Sequence, residues 1–318
     1  MTQSLYEQLV MQTQMNYSQY YGVYASGKTP VKLTERQPLP YDQQIKVFTE
    51  KVKEADHIIV GGASGLSAAV MIFTMRQPRP TSRPLSVSMK SIISPAPLPG
   101  CSIAGVAGEN FGVTWRPTLH APIREPYKDL QAILRDKDYF ILTTNQDTQA
   151  IKAFLEEKVA QIQGDHRFFQ CSQQCTDDVW DATEKIDEMY DYLEEHDTTT
   201  IPDAMIPRCP HCGAEAFPWV RGYGNFLEGS RYQEQYQKIS DDLEHHLHDQ
   251  HLLFLELGVG QMTPMFIQEP FWALTNNLPG AYDVMVNRDY QFLPQQIEDK
   301  GVAIKGDIAK ALRMYANN

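Results

Sequence analysis

The chain has no apolar run long enough to cross a bilayer. Its first residues, Met1-Thr2-Gln3-Ser4-Leu5-Tyr6, lack a basic stretch followed by an apolar core, so no signal peptide is predicted. Basic residues are few: 28 Lys and Arg stand against 40 Asp and Glu, for a net charge of -12. A surface of that sign repels phosphate, which argues against a general binder of nucleic acid or of anionic membranes. A soluble, cytoplasmic protein is expected. At 318 residues, 42% hydrophobic and 21% charged, the chain suits one large domain or two modest ones.

Cysteine is also scarce, yet four of the five cysteines fall in two short pairs, Cys171/Cys175 and Cys209/Cys212. Two such pairs can close a tetrahedral four-thiolate shell around zinc; two disulfides or four free thiols are the alternatives. Gly213 after Cys212 permits the tight turn that a zinc knuckle needs. A shell of four cysteines leaves no open position, so such a metal holds structure and performs no chemistry.

Along the chain, short apolar runs end in glycine or polar tips and lead into helical patterns. Residues 1–55 read as polar helices. Asp56 to Val60 reads as a buried strand, followed at once by Gly61-Gly62-Ala63-Ser64-Gly65-Leu66, a small-residue turn suited to a phosphate or to any tight strand-to-helix connection. Glu125 to Lys137 reads as a helix, and Asp138 to Thr144 as a strand ending in Asn145-Gln146-Asp147. A helix over Thr148 to Lys158, a strand over Val159 to Ile162 and the tip Gln163-Gly164-Asp165 follow. Asp177 to His196 reads as one acidic helix with a solvated face or a docking surface, and Pro218 to Asn225 as an irregular loop. Ser230 to His248 reads as a polar helix. His245, His246, His248 and His251 are taken as helix-end histidines favoured by the dipole rather than as a metal site. Strands are expected over Leu252 to Leu257, running into Gly258-Val259-Gly260, and over Asp283 to Val286, ending in Asn287-Arg288-Asp289. A last strand near Gly301 to Ile304 precedes a C-terminal helix. Strand, tip and helix repeat, which predicts an α/β fold with a Rossmann-like parallel sheet, helices on both faces and a small four-cysteine zinc-ribbon module. The expected divisions are 1–165, 166–225 for the zinc module, and 226–318.

Residues 70 to about 117 do not match this texture. Arg76 to Gly100 carries six prolines, has no acidic residue and follows neither helical nor strand periodicity. A Pro/Ser-rich loop is one reading. The other is a nucleotide deletion near residue 70 with a compensating insertion near 118, because back-translated codons shifted by one base give aromatic-rich sequence at both ends.

The order of the tips resembles that of the sirtuins: a Gly-rich turn, Thr-x-Asn-x-Asp, x-Gly before a cysteine pair, Cys-x-x-Cys, Gly-x-Gly with Thr263-Pro264, and a late Val-Asn. The resemblance covers roughly residues 40–315 apart from 70–117, and it implies NAD and zinc as cofactors. It places phosphate against Gly61, Gly62, Ala63, Ser64 and Leu66. Asn145 and Asp147 then hold the nicotinamide end, and Gly258, Val259, Gly260, Thr263, Asn287, Arg288 and Asp289 the adenosine side. Deacetylating sirtuins carry His-Gly where this chain has Gln163-Gly164, and a glutamine amide cannot accept a proton. Gln-Gly-Asp with Gly-Val-Gly resembles the bacterial, macrodomain-linked class M sirtuins. That implies protein mono-ADP-ribosylation with Asn145, Asp147 and Gln163 as catalytic residues, a lipoylated glycine-cleavage H-like carrier as target and a macrodomain protein as functional partner. An NAD-dependent deacylase, or an impaired NAD-binding member, is the alternative.

Overall fold

The computed structural model describes residues 3–17, 32–75, 116, 119–198, 201–222, 225–260, 263–289 and 291–316. The frameshift reading of 70–117 falls for the most part outside them.

Strand His57–Gly62 (β1) is buried at every position because both its faces are covered. Ile58 and Val60 point into one hydrophobic core, with helices Tyr41–Glu54 (α2), Glu125–Leu134 (α4) and Ile308–Ala316 (α9). Ile59 points into the other, with helices Leu5–Tyr17 (α1), Ser230–His246 (α7) and Gln268–Asn277 (α8). This two-sided alternation follows from the period of two along a strand.

Around β1 the sheet runs β3-β2-β1-β7-β8-β9, with every pairing parallel. Its other strands are Asp138–Thr143 (β2), Val159–Gln161 (β3), Leu252–Leu257 (β7), Ala281–Asn287 (β8) and Gly301–Lys305 (β9). Helix Ser64–Met75 (α3) follows β1 directly. The expected parallel α/β sheet is therefore present. A second sheet, β5-β4-β6, is antiparallel and consists of Gly164–Cys171 (β4), Trp180–Asp181 (β5) and Ala216–Val220 (β6).

Three local expectations fail. The helix expected over Thr148–Lys158 spans only Gln149–Ala153 (α5), because Phe154 turns extended with φ -128° and ψ 166°; a short 3-10 turn, Glu156–Lys158, follows. The acidic helix starts at Thr183 (Thr183–Glu195, α6), since Trp180 and Asp181 pair with Phe169 and Phe168 as a strand. Pro218 does not begin a loop but sits within β6, opposite Phe169 where the register shifts. Strand β6 is an edge strand, so the missing proline N–H costs no ladder bond there.

Candidate active site and metal centre

Strand β1 is flanked by β2 on one side and β7 on the other, so the order in which strands are added reverses there and a crevice opens beyond the carboxyl ends. The first turn of α3 meets the end of β7 in this crevice. Gly65 N–H donates to the Gly258 carbonyl at 2.9 Å, and Ala63 N–H to the Leu257 carbonyl at 3.1 Å. Gly258 has φ +69°, and a Cβ on it would lie 2.5 Å from Gly65 Cα, so only glycine permits this crossing. Leu66 N–H is likewise taken, by the Ala63 carbonyl at 2.8 Å. Gly61 serves packing, since its Cβ would strike Ile267 and Phe271. The Ser64 hydroxyl lies 3.7 Å from where a Gly260 Cβ would stand.

The β2 tip is fastened to this turn. The Thr143 hydroxyl donates to the Gly62 carbonyl and accepts from Asn145 N–H, both at 2.9 Å. Asn145 Nδ2 donates to the Ala63 carbonyl at 3.0 Å. Asp147 accepts from the Ser67 hydroxyl at 2.6 Å and from Gln149 N–H at 3.2 Å. Burial raises the Asp147 pKa above the ordinary carboxylate value, against the opposing pull of those two hydrogen bonds. Thr148 follows with φ 60°, a strained conformation for a β-branched residue and one that the surrounding contacts must enforce. Tyr127 of α4 lies buried beside this tip; burial first, and then the Asp147 charge, push its pKa well up.

Gln163, just past β3, has its backbone pinned between two segments. Its carbonyl accepts from Gln146 Nε2 and from Arg221 N–H, each at 2.9 Å. Its side-chain Nε2 is buried with no hydrogen-bond partner, and an orphaned buried donor marks a place where a ligand oxygen fits. Gly164 has φ +90°, and a Cβ there would meet the Trp219 carbonyl at 2.0 Å, so the residue after Gln163 must be glycine. His166 Nδ1–H donates to the Gln146 carbonyl at 2.6 Å, and burial lowers its pKa, which keeps the ring neutral near pH 7.

On the far side, Asn287 ends β8. Its Nδ2 donates to the Val259 carbonyl at 2.9 Å, and its Oδ1 accepts from Asp289 N–H at 3.0 Å. Arg288 and Asp289 pair with each other at 3.0 Å and are exposed, as is Thr263. Asn145, Asp147 and Gln163 thus share one side of the crevice mouth, with the Gly61–Leu66 turn, Gly258–Gly260 and Asn287 beside them. Arg288, Asp289 and Thr263 stand at its rim. Ser67, Tyr127 and His166 belong to this cluster and carry no sequence motif; only the folded register brings them in.

The four cysteines converge. Cys171 Sγ lies 3.6 Å from Cys212 Sγ, and Cys175 Sγ 3.6 Å from Cys209 Sγ, with all four sulfurs within 4.8 Å of one another. Disulfides are excluded at these separations. Tetrahedral Zn–S bonds put sulfurs about 3.8 Å apart, so the set fits zinc. The N–H groups of Gln173 and His211 point at Cys171 and Cys209 sulfur, each at 3.4 Å, and Gly213 takes φ +73° in the turn. The first thiolate pair joins the end of β4 to the following turn, and the second lies just before β6, so a bound zinc fastens one end of the small sheet.

No protein-family model matches the chain. It is 29% identical over 202 residues to a protein ADP-ribosyltransferase of Staphylococcus aureus, a match covering 63% of each chain. It is 25% identical over 183 residues to a probable bifunctional ADP-ribose hydrolase/ADP-ribosyltransferase of Fusarium oxysporum, covering 55% of this chain and 30% of that protein. The chain thus spans less than two thirds of either relative. Among solved structures, a Sir2 protein with a p53 peptide and NAD+ superposes with a TM-score of 0.53 at 16% identity, over 86% of this chain and 97% of that one. This last likeness establishes the fold.

Proposed function

We propose that the chain, which shares the Sir2 fold, is an NAD-dependent protein mono-ADP-ribosyltransferase of the sirtuin type. In that reaction the bond from ribose C1′ to nicotinamide breaks; a side chain of the target forms the new C1′ bond and gives up a proton. The observation that carries the reading is the orphaned Gln163 amide beyond β3, beside the pinned Asn145. An amide N–H donor orients a ribose hydroxyl but takes no proton, so the site holds and positions the donor without the base that deacylation needs at that place. Asn145, fixed through Ala63, positions the ribose. Asp147, biased by burial toward its protonated form, meets the nicotinamide end. The Gly65–Gly258 crossing and Asn287 shape the side that receives the adenosine.

The similarity to a Staphylococcus ADP-ribosyltransferase supports transfer over deacylation. The target in this reading is a lipoylated glycine-cleavage H-like carrier in the cytoplasm. A macrodomain protein that removes ADP-ribose is the functional partner, in keeping with the joined hydrolase and transferase in the Fusarium relative's name. Deacylation has one observation in its favour, the neutral His166 hydrogen-bonded beside the same tip. Incubation with labelled NAD and the lipoylated carrier separates the two readings. Label on the carrier is expected; O-acyl-ADP-ribose formed from an acylated peptide, with no labelled carrier, overturns the proposal.

A further inference from the structure

At the opposite, amino-terminal edge of the sheet, three residues far apart in sequence meet: His57 opens β1, Asp138 opens β2 and His246 ends α7. We infer that they form a second metal site, distinct from the four cysteines, that takes a divalent transition-metal ion of the zinc class.

The donor atoms are already gathered. Asp138 Oδ2 lies 3.1 Å from His57 Nδ1 and 3.3 Å from His246 Nε2, and the three atoms lie within 4.8 Å of one another. Tetrahedral zinc with bonds near 2.0–2.1 Å sets neighbouring ligand atoms about 3.4 Å apart, so two edges of the triangle already have the required length. His57 is wholly buried, and its Nδ1 has no hydrogen-bond partner despite the nearby carboxylate. A buried nitrogen close to an oxygen but out of line for a hydrogen bond suits a shared cation better than a direct contact.

The outer contacts match as well. His57 Nε2 meets Asp242 Oδ2 at 2.9 Å, and His246 Nδ1 meets Asp249 Oδ2 at 2.7 Å. Each imidazole therefore gives its second nitrogen to a carboxylate, which orients the ring and leaves the inward nitrogen to face the other donors. Lys158 holds the other Asp138 oxygen at 2.7 Å and so directs Oδ2 inward. Asp138 is 45% exposed, which gives an ion entry and leaves its fourth position to water. Two imidazoles and one carboxylate are a donor set that favours zinc-class ions over calcium or magnesium.

The two rings stack with centroids 3.6 Å apart and planes at 4°. Lone pairs in parallel planes cannot meet at one ion, so binding must tilt the rings apart. His246, at the helix end and 13% exposed, is the ring that has to turn, against its contacts with His57 and Asp249. A bound ion would fasten the last turn of α7 to the first residues of β1 and β2. The same helix reaches the active-site side through Gln235, whose Oε1 accepts from Gln161 N–H at 3.0 Å.

The test counts metal in the untagged full chain. Its first equivalent of zinc fills the thiolates, and cobalt(II) is then titrated in. The parent chain is expected to take up one further equivalent with d–d absorption and no added thiolate-to-cobalt band. Asp138→Asn and His246→Gln are expected to lose that equivalent while keeping the first, which doubles as the control for an intact fold. Asp249→Asn should weaken the second site about 10- to 100-fold. A parent chain that binds no second equivalent at micromolar free metal overturns the inference, as does undiminished binding in both ligand variants.

Discussion

Gly65 and Gly258 touch backbone to backbone, and a Cβ on Gly65 would lie 2.6 Å from Gly258 Cα. The first turn after β1 therefore rests directly on the end of β7, and the floor of the crevice is two glycines thick. Gly65→Ala must push these segments apart. Backbone cannot yield as a flexible side chain can, so a stability loss of about 2–3 kcal/mol is expected. Thermal unfolding of the variant checks this, and an unchanged midpoint would remove the close crossing.

Asn145→Ala removes one amide that braces Ala63 and that, in the proposed reaction, positions the ribose. The lost hydrogen bond to the Ala63 carbonyl costs about 1 kcal/mol, so the variant should fold. Transfer of label to the carrier should nonetheless fall by about 100-fold or more, as for other preorganised amide donors. Unfolding midpoints and initial rates measured side by side separate the two effects. Wild-type transfer by a folded variant would end the catalytic assignment.

The core beside α8 carries carboxyls that predict a pH dependence. Glu256, Glu269 and Asp283 are wholly buried. Burial raises all three: Glu269 to about 8, Asp283 to about 7, and Glu256, with the Asp283 charge adding, well above its ordinary value. Neither Glu269 oxygen has a hydrogen-bond partner. Below the unfolded value near pH 4 both states hold the proton, and nothing is lost. As pH rises toward the folded value, only the unfolded chain releases it, so stability falls. Glu269→Gln takes that proton release away. Its unfolding midpoint should gain on the parent's between pH 5 and pH 8, and a gap that stays constant across this range would refute the buried protonated form.

Much of this was legible in the sequence for a physical reason. Buried parallel strands are short apolar runs, and Leu252 to Leu257 shows that as plainly as Ile58 to Val60. The tips were legible because glycine and amide residues at strand ends have few other uses. The small sheet was hidden: Pro218 reads as a loop residue, and nothing local reveals that β6 is an edge strand. His166 and Tyr127 were hidden because their roles come from register and packing. His246 looked like a helix-end histidine, and only the fold brings His57 and Asp138 to it.

Cys209→Ser tests the zinc module. Cys209 is buried, and the turn around it is held by its own N–H donating to the Ala214 carbonyl at 2.7 Å and by Gly213 N–H donating to the Cys209 carbonyl at 2.9 Å. A serine hydroxyl keeps the shape but is a poor zinc ligand, so the remaining three thiolates should release the ion to a modest chelator. Metal binding is folding free energy in such modules, and a loss of several kcal/mol is expected, on the order of half the stability of an ordinary domain. The loss should be local at first: Cys171 and Ala216 pair across β4 and β6, and those strands lead back to Gln163 through Arg221. Hydrogen exchange in β4 and β6 should therefore quicken well before exchange in β1 and β7. Equal acceleration in both sheets would show that the ion supports the whole fold, and normal zinc content in the variant would refute the four-cysteine shell.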